Sequence, residues 1–441
     1  MSFNYNGARH LFCAVLLAGF FVNPLSAMDT DHLVISDDVA LRRSLSAWFT
    51  EAPMNIVGKP AYKTKLDSGE SVQVSIENGS VQDEFAIVLG RALNGKYPGW
   101  AQGSWIILRS SKTGDVLRVR IFLRSDPYTY IQFSPQNDKK SYLDMVIYNA
   151  NMAQSVSIPI SINRILTSSL DDILQTVSER VPLKYFTPHA DNYRDIISLI
   201  AKIRNSLAQL EYADDGAINE NGDYVFIETL QKQEKSAGLN CSGFAKWTVD
   251  GILKPVTGSR LGINELKQHY GERGSAFTDV YEDLRDPFFG LDWNRNLASN
   301  VYSILKSSHA ANLDEFEVRK SPFASTIVRS GGTAAIRPYN GFLPNAGYDF
   351  EGLQALLYAL AIDEPGNIYL GAVNKEMLPK PRMRQYYHTA VLIPYFDDEG
   401  TFHITVFESA SETNFNRFKN RYPANQINLV RIPVEGNFEP N

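Results

Sequence analysis

The stretch that decides the reading runs from Ser236 to Ile252, "SAGLNCSGFAKWTVDGI". Asn240 is among the best helix N-caps, because its side-chain oxygen can accept a first-turn N–H. With that cap, Cys241 becomes the first helical residue, and Phe244, Ala245, Thr248 and Ile252 form the buried stripe. A helix N-terminus presents unpaired N–H groups and a partial positive charge. Both favour thiolate over thiol, which makes a cysteine nucleophilic near neutral pH. The same N–H groups can bind the oxyanion of an acyl-transfer intermediate, and Gly243 leaves room for a substrate backbone beside the sulfur. On composition alone, a cysteine here reads equally as a small buried residue at a helix start.

Working outward, the chain has 441 residues and two cysteines, Cys13 and Cys241. Residues 1–27 read as an export signal. Arg9 and His10 precede the apolar run "LFCAVLLAGFFV", and Pro24 and the small pair Ser26-Ala27 follow it. The run is shorter than the ~20 apolar residues of a membrane span, and no later stretch is long enough. Cleavage would leave Cys241 as the only thiol, so no disulfide could form within the mature chain. The net charge of −6 becomes −7 when Arg9 is removed, which argues against nucleic acid or an acidic membrane as partner. A mature chain of about 410 residues predicts two or more domains.

Residues 28–165 read as a β-rich N-terminal domain. "SVQVSIENGS", "SWIILRSS", "VLRVRIFLRS" and "YTYIQFSP" alternate or run apolar between turns. Its aromatics Tyr97, Trp100, Tyr128 and Tyr130 are candidates for exposed ligand contacts, although aromatics in strands usually pack. Past Ser168 the apolar spacing turns helical, in "SLDDILQTVSERV", "NYRDIISLIAKIRNSLAQL", Cys241–Leu253, Trp293–Lys306 and Phe350–Ile362. Strands return in "GNIYLGAV", "YYHTAVLIPYF", "TFHITVFES" and "INLVRIPV". Helices first and strands last give an α+β domain over 166–441. No phosphate-binding or metal-binding motif is complete. "GRALNGK" (Gly90–Lys96) lacks the hydroxyl residue of a phosphate-binding loop, and no histidine pair has metal-ligand spacing. No metal or cofactor is expected.

A thiolate nucleophile needs a base, and the base needs an orienting group. His388 opens the strand "HTAVLIPYF", and the next strand follows the polar turn Asp397–Gly400. If the hairpin folds about that turn, the numbers of paired residues sum to roughly 796 to 798, and His388 faces residues 408 to 410. The apolar pattern favours the lower sum, which pairs Ala390 with Val406 and Leu392 with Ile404 and keeps one face apolar. Glu408 then stands opposite His388 as the orienting carboxylate. A register one residue away would put Ser409 there. His403 would pair near Ile393, roughly 17 Å along the strand at ~3.3 Å per residue, and is excluded as the base.

Asn240-Cys241-Ser242-Gly243-Phe244 resembles the Asp-Cys-Ser-Gly-Phe nucleophile motif of NlpC/P60 cysteine peptidases. "EPGNIYLGAV" (Glu364–Val373) resembles that family's Pro-Gly-Asp strand, "HTAVLIPYF" its histidine strand, and "VFESAS" falls where its third polar residue stands. "DYVFIETL" is similar to a Tyr-Val-Trp-Gly-Gly segment, without the two glycines, and this implies a substrate contact for Tyr224. The order Cys, His, third residue matches the unpermuted family. The resemblance implies a papain-like α+β fold and cleavage of amide bonds in peptidoglycan stem peptides. Cys241 would be the nucleophile, His388 the general base and Glu408 the orienter, with Tyr224, Ser242 and Gly243 along the substrate. His388 lies 147 residues beyond Cys241, so residues from about 255 to 348 are an insertion relative to the family. It holds helices and a "RSGGTAAIRPYNGF" loop, and an insertion of this size could cap the cleft and change the substrate. The expectation is an exported thiol peptidase, periplasmic or cell-wall associated. Two alternatives stay open: a non-catalytic binding or scaffold protein on the same fold, and a thiol hydrolase acting on another amide or ester.

Overall fold

A computed structural model describes residues 35–440, apart from 38, 80–82, 235–236, 271–285, 307–311, 331–332, 378–383 and 435–436. The export signal expected at 1–27 lies outside the described residues. From Tyr62 onward the chain runs as an antiparallel meander. Its strands are β1 (Tyr62–Lys65), β2 (Ser71–Asn78), β3 (Glu84–Arg91), β4 (Trp105–Ser110), β5 (Val116–Ile121), β6 (Tyr130–Asn137), β7 (Lys140–Ile147) and β8 (Ala150–Ile158). Alternation sends Ile87, Leu89, Trp105, Ile107, Ile131 and Phe133 into one core. Five short helices supply apolar side chains to that core: α1 (Val39–Ser44) through Leu41, α2 (Ser46–Thr50) through Phe49, with Leu45 between them, α3 (Pro53–Ile56), α4 (Ile162–Thr167) and α5 (Leu170–Ser178). Ser161 and Ser169 cap the last two by accepting the N–H groups of Arg164 and Asp172. Trp100 and Tyr128 are exposed as expected, but Tyr130 is buried beneath the Arg120 guanidinium. The segment Gly90–Lys96 ends β3 and turns through Asn94 and Gly95, both at positive φ.

The second half comprises α6 (Arg194–Leu207), the hairpin β9 (Gly216–Ile218) and β10 (Tyr224–Phe226), α7 (Cys241–Thr257), α8 (Ile263–Leu266), α9 (Phe289–Leu305) and α10 (Leu313–Phe316). Then come β11 (Ser325–Ser330), β12 (Thr333–Pro338), β13 (Tyr348–Asp349), α11 (Leu353–Asp363), β14 (Asn367–Glu376), β15 (Arg384–Phe396), β16 (Phe402–Glu408), β17 (Ser411–Asn414), α12 (Phe415–Arg421) and β18 (Gln426–Pro433). A six-stranded antiparallel sheet has the order β13-β18-β14-β15-β16-β17. One face, with Ile368, Leu370, Val391, Ile393 and Val430, packs against α7 and α9. The other, with Tyr369, Ala390, Leu392 and Val406, packs against α11 and α12. The inner strands are thus buried on both faces, which is why their sequences read as continuous apolar runs rather than strict alternation. The protein is therefore a mixed α/β chain built on two large antiparallel sheets.

Helical spacing past Ser168 puts the boundary between the two halves somewhere in 165–195. The first core takes in α4, α5 and side chains through Tyr193, together with Phe323, Phe396 and Ala355, Tyr358, Ala359 and Ala361 of α11, and the second core begins at Ile196, so α4 and α5 belong with the N-terminal sheet. A change from strand to helix marks a change of layer, and here both layers share one core. The segment 255–348 also does not stand apart as a cap. Its β11 pairs with β8 through Ser325↔Asn151 and Thr326↔Ala150, and β12 pairs with β11, extending the first sheet to ten strands. Within the expected "RSGGTAAIRPYNGF" loop, Arg329 and Ser330 end strand β11 and Thr333–Pro338 form strand β12. The α9 helix of the same segment lies in the second core.

Candidate active site

Asn240 caps α7 as its residue type predicts, its side-chain oxygen accepting the Gly243 N–H at 2.8 Å. The half-buried Cys241 is the first helical residue. Burial is not confined to one stripe, because every residue from Ser242 to Leu253 is enclosed. Gly243 has a different reason from the one expected. A Cβ there would lie 1.9 Å from the Gly216 carbonyl oxygen, so the glycine lets α7 press against β9. The room beside it is filled by the protein's own backbone, not left for substrate.

His388 follows a β-bulge. Val373 pairs with His388 but Asn374 pairs with Tyr386, leaving Tyr387 as the extra residue. Bulges of this kind re-aim neighbouring side chains. His388 Nε2 meets Glu408 Oε2 at 2.6 Å, and the His388 side chain also hydrogen-bonds Cys241. Nε2 is occupied by the carboxylate, which leaves Nδ1 for the sulfur. The Thr389 N–H and the Ser242 side chain also hydrogen-bond that sulfur. Ser242 therefore touches the Cys241 sulfur, and its carbonyl accepts the Trp293 indole N–H at 3.0 Å.

The hairpin register is Leu392↔Val406 and Val391↔Phe407, two residues from the expected pairing. Asp397 explains the slide. Its carboxylate accepts the Glu399 and Thr401 N–H groups, and Gly400 takes φ +72°, so the turn consumes five residues, 397–401. A slide of two preserves the face of every side chain. Glu408 consequently reaches His388 along a diagonal rather than from directly opposite, within the span of long side chains. His403 lies opposite Tyr395 and pairs with Asp397 at 2.7 Å, at the far end of the hairpin.

The electrostatics follow from these contacts. Burial pushes the Cys241 thiol up, but His388, the Thr389 N–H and Ser242 outweigh it, and the net result lies below the ordinary thiol value. Burial pulls His388 down, yet its bonds to Cys241 and Glu408 raise it to about 9. Burial pushes Glu408 up, and His388, Thr413 and Arg421 overcome this and bring it down to about 2. A lowered thiol beside a raised imidazole favours the thiolate–imidazolium pair.

The sequence reading missed Arg421 and Thr413. Arg421 Nη1 lies 2.7 Å from Glu408 Oε1, and the Thr413 hydroxyl donates to the same oxygen at 2.8 Å. Neither residue carries a sequence signal, because they come from the strand β17 and the helix α12 that follow β16. Arg421→Met should leave Glu408 more basic and so hold the imidazolium proton more tightly. The alkaline limb of the rate profile then moves above that of the wild type. Because Arg421 is 41% exposed, the loss in rate should stay within about fivefold, the scale of a partly exposed pair. A pH series on the variant reads both.

Tyr224 lies half-buried in the β9–β10 hairpin, packed against the second core. Among the described residues, no hydrogen bond, ion pair or ring contact joins it to Cys241, His388 or Glu408. Two other tyrosines are electrostatically coupled to Cys241: Tyr212, which bonds Asp214, and Tyr422, whose ring centroid is 5.9 Å from that of His388. Among the described residues, no group of three or more His, Cys, Asp or Glu could hold a metal ion, and no helix is long and apolar enough to cross a membrane.

Residues 31–185 match the family described as Domain of unknown function (DUF8515). The match spans the eight-stranded meander and helices α1 to α5, and it ends before Cys241. No curated protein and no solved structure matches the chain.

Proposed function

We propose that the chain is an exported cysteine amidase or endopeptidase of papain-like, NlpC/P60 type, acting in the periplasm or cell wall on amide bonds of peptidoglycan stem peptides. The observation that carries the reading is the convergence of three groups. A thiol at a helix N-terminus meets an imidazole, and a buried carboxylate holds that imidazole's far nitrogen at 2.6 Å. The Cys241 thiolate attacks the carbonyl carbon. The Cys241 and Ser242 N–H groups, which have no acceptor within the helix, face the developing oxyanion. His388 gives its proton to the leaving amine as the C–N bond breaks, and a thioester remains. His388 then takes a proton from water, whose oxygen attacks the thioester and releases the acid and the thiolate. Glu408 keeps the imidazole oriented and stabilises its charged form without taking the proton.

The test is digestion of purified peptidoglycan peptides with mass analysis of the products. The proposal expects paired fragments carrying a new amine and a new carboxyl, absent with Cys241→Ser. Peptides left intact, with model amides or esters cleaved instead, would move the activity to another substrate. No thiol-dependent turnover on any of them would end the enzyme reading.

A further inference from the structure

A second cleft, of about 260 Å³, opens where the turn of the β15–β16 hairpin meets the loops of the N-terminal sheet. Phe396 at this end is about 26 Å along β15 from His388 at ~3.3 Å per residue, so the cleft is separate from the thiol. Its floor is aromatic. Tyr148, Tyr358, Phe396 and Phe402 pack with ring centroids 4.9 to 5.7 Å apart.

Arg124, from the β5–β6 loop, lines the same cleft. Its guanidinium lies 5.5 Å from the Phe396 ring centroid and makes one long hydrogen bond, 3.4 Å, to the Phe186 carbonyl. Among the described residues, no carboxylate stands within ion-pair distance of it. Asp126 is nearby, but its oxygens are engaged by the Tyr128 N–H and the hydroxyls of Thr129 and Tyr148. An arginine has five donors and normally finds planar acceptors for them, so most of this one's capacity is unused.

Two backbone features fit a site rather than a packing gap. Gly400 takes φ +72°, and a Cβ there would lie 2.9 Å from Arg124 Nη2, so glycine lets the guanidinium approach. Tyr148 takes φ +46° and Asn149 φ +63°. A bulky residue in that region is strained, and Asn-Gly would make the same hairpin turn without strain. The turn gains nothing from a tyrosine, whereas the cleft gains part of its floor.

We infer that this cleft is a second ligand site, which takes a small monocarboxylate with a flat or apolar body and a hydroxyl or amine. The carboxylate docks on Arg124, the body lies against the partly exposed Tyr148 and Phe402, which the buried Tyr358 and Phe396 back from behind, and Glu399 at the rim accepts from the donor. The volume falls just below the ~300–1,000 Å³ of drug-sized sites and suits a molecule the size of an aromatic hydroxy acid. Both halves of the protein would contact it.

The experiment is calorimetric titration of the full mature chain with 4-hydroxyphenylacetate. Saturable binding is expected, unchanged in Cys241→Ser and weakened about tenfold or more in Arg124→Gln, the scale of a lost hydrogen bond to a charged group. The neutral 4-hydroxyphenylacetamide should show the same loss. If Arg124→Gln does not fold, Gly400→Ala, which crowds the guanidinium, gives the same reading. Absent saturation, or equal binding by the amide or by the folded variant, would overturn the assignment.

Discussion

Replacing His388 with alanine should lower the rate of amide hydrolysis by about 10⁴–10⁶-fold, the scale seen when one member of a nucleophile–base unit is removed. Two losses combine. The thiol returns toward its ordinary pKa, because His388 supplies the largest of the effects that lower it. The leaving amine also loses its proton donor. Glu408→Gln should cost less, because the imidazole keeps its place while losing a charged partner. The wild-type rate should rise with the thiolate on the acid side, below the ordinary thiol range, and fall as pH passes about 9, where His388 gives up its proton. The same shifts act on the fold. His388 titrates higher folded than unfolded, so its stabilisation is full below pH 6.5 and lost as pH rises through about 9. Glu408 titrates lower folded than unfolded, so its share is present above pH 4.5 and lost as pH falls through about 2.

Lys246→Met should destabilise the protein by about 3–5 kcal/mol, the cost of leaving one partner of a buried ion pair alone. Lys246 Nζ and Asp250 Oδ2 lie 2.6 Å apart, one helical turn along α7, with side chains 0% and 2% exposed. Burial pulls the lysine down and pushes the aspartate up, while each supports the charge of the other. In the variant, Asp250 keeps the Leu261 N–H, which it accepts at 2.9 Å, and the nearby charge of Arg260. Its folded pKa, already raised by burial, rises further above the unfolded value, so stability is retained at low pH and lost as pH rises through the folded pKa. Urea melts at several pH values should therefore show the deficit shrinking in acid. The double variant Lys246→Met/Asp250→Leu, which removes both charges, should recover most of the loss.

Local chemistry was legible where one residue type decides the outcome. Asn240 announces a cap, and the cap sets Cys241 at the helix start. The strand faces were legible because their period is two, so even a slide of the β15–β16 register left Glu408 on the side of His388. The register itself was not legible, because it depends on how Asp397 hydrogen-bonds a five-residue turn. The bulge before His388, the Arg421 contact and the pairing of β11 with β8 are long-range arrangements that no residue type encodes. Gly243 shows the opposite failure: a glycine beside a nucleophile suggested space for substrate, and its cause is the carbonyl of Gly216.

The most direct measurement is the pH dependence of Cys241 alkylation by iodoacetamide in protein expressed from Met28 and in its His388→Ala variant, so that Cys241 is the only thiol present. A Cys241–His388 pair gives fast alkylation well below the ordinary thiol pKa of about 8.5, and loss of that speed in the variant. A thiol that stays unreactive until the protein is denatured, or reacts identically with and without His388, would contradict it.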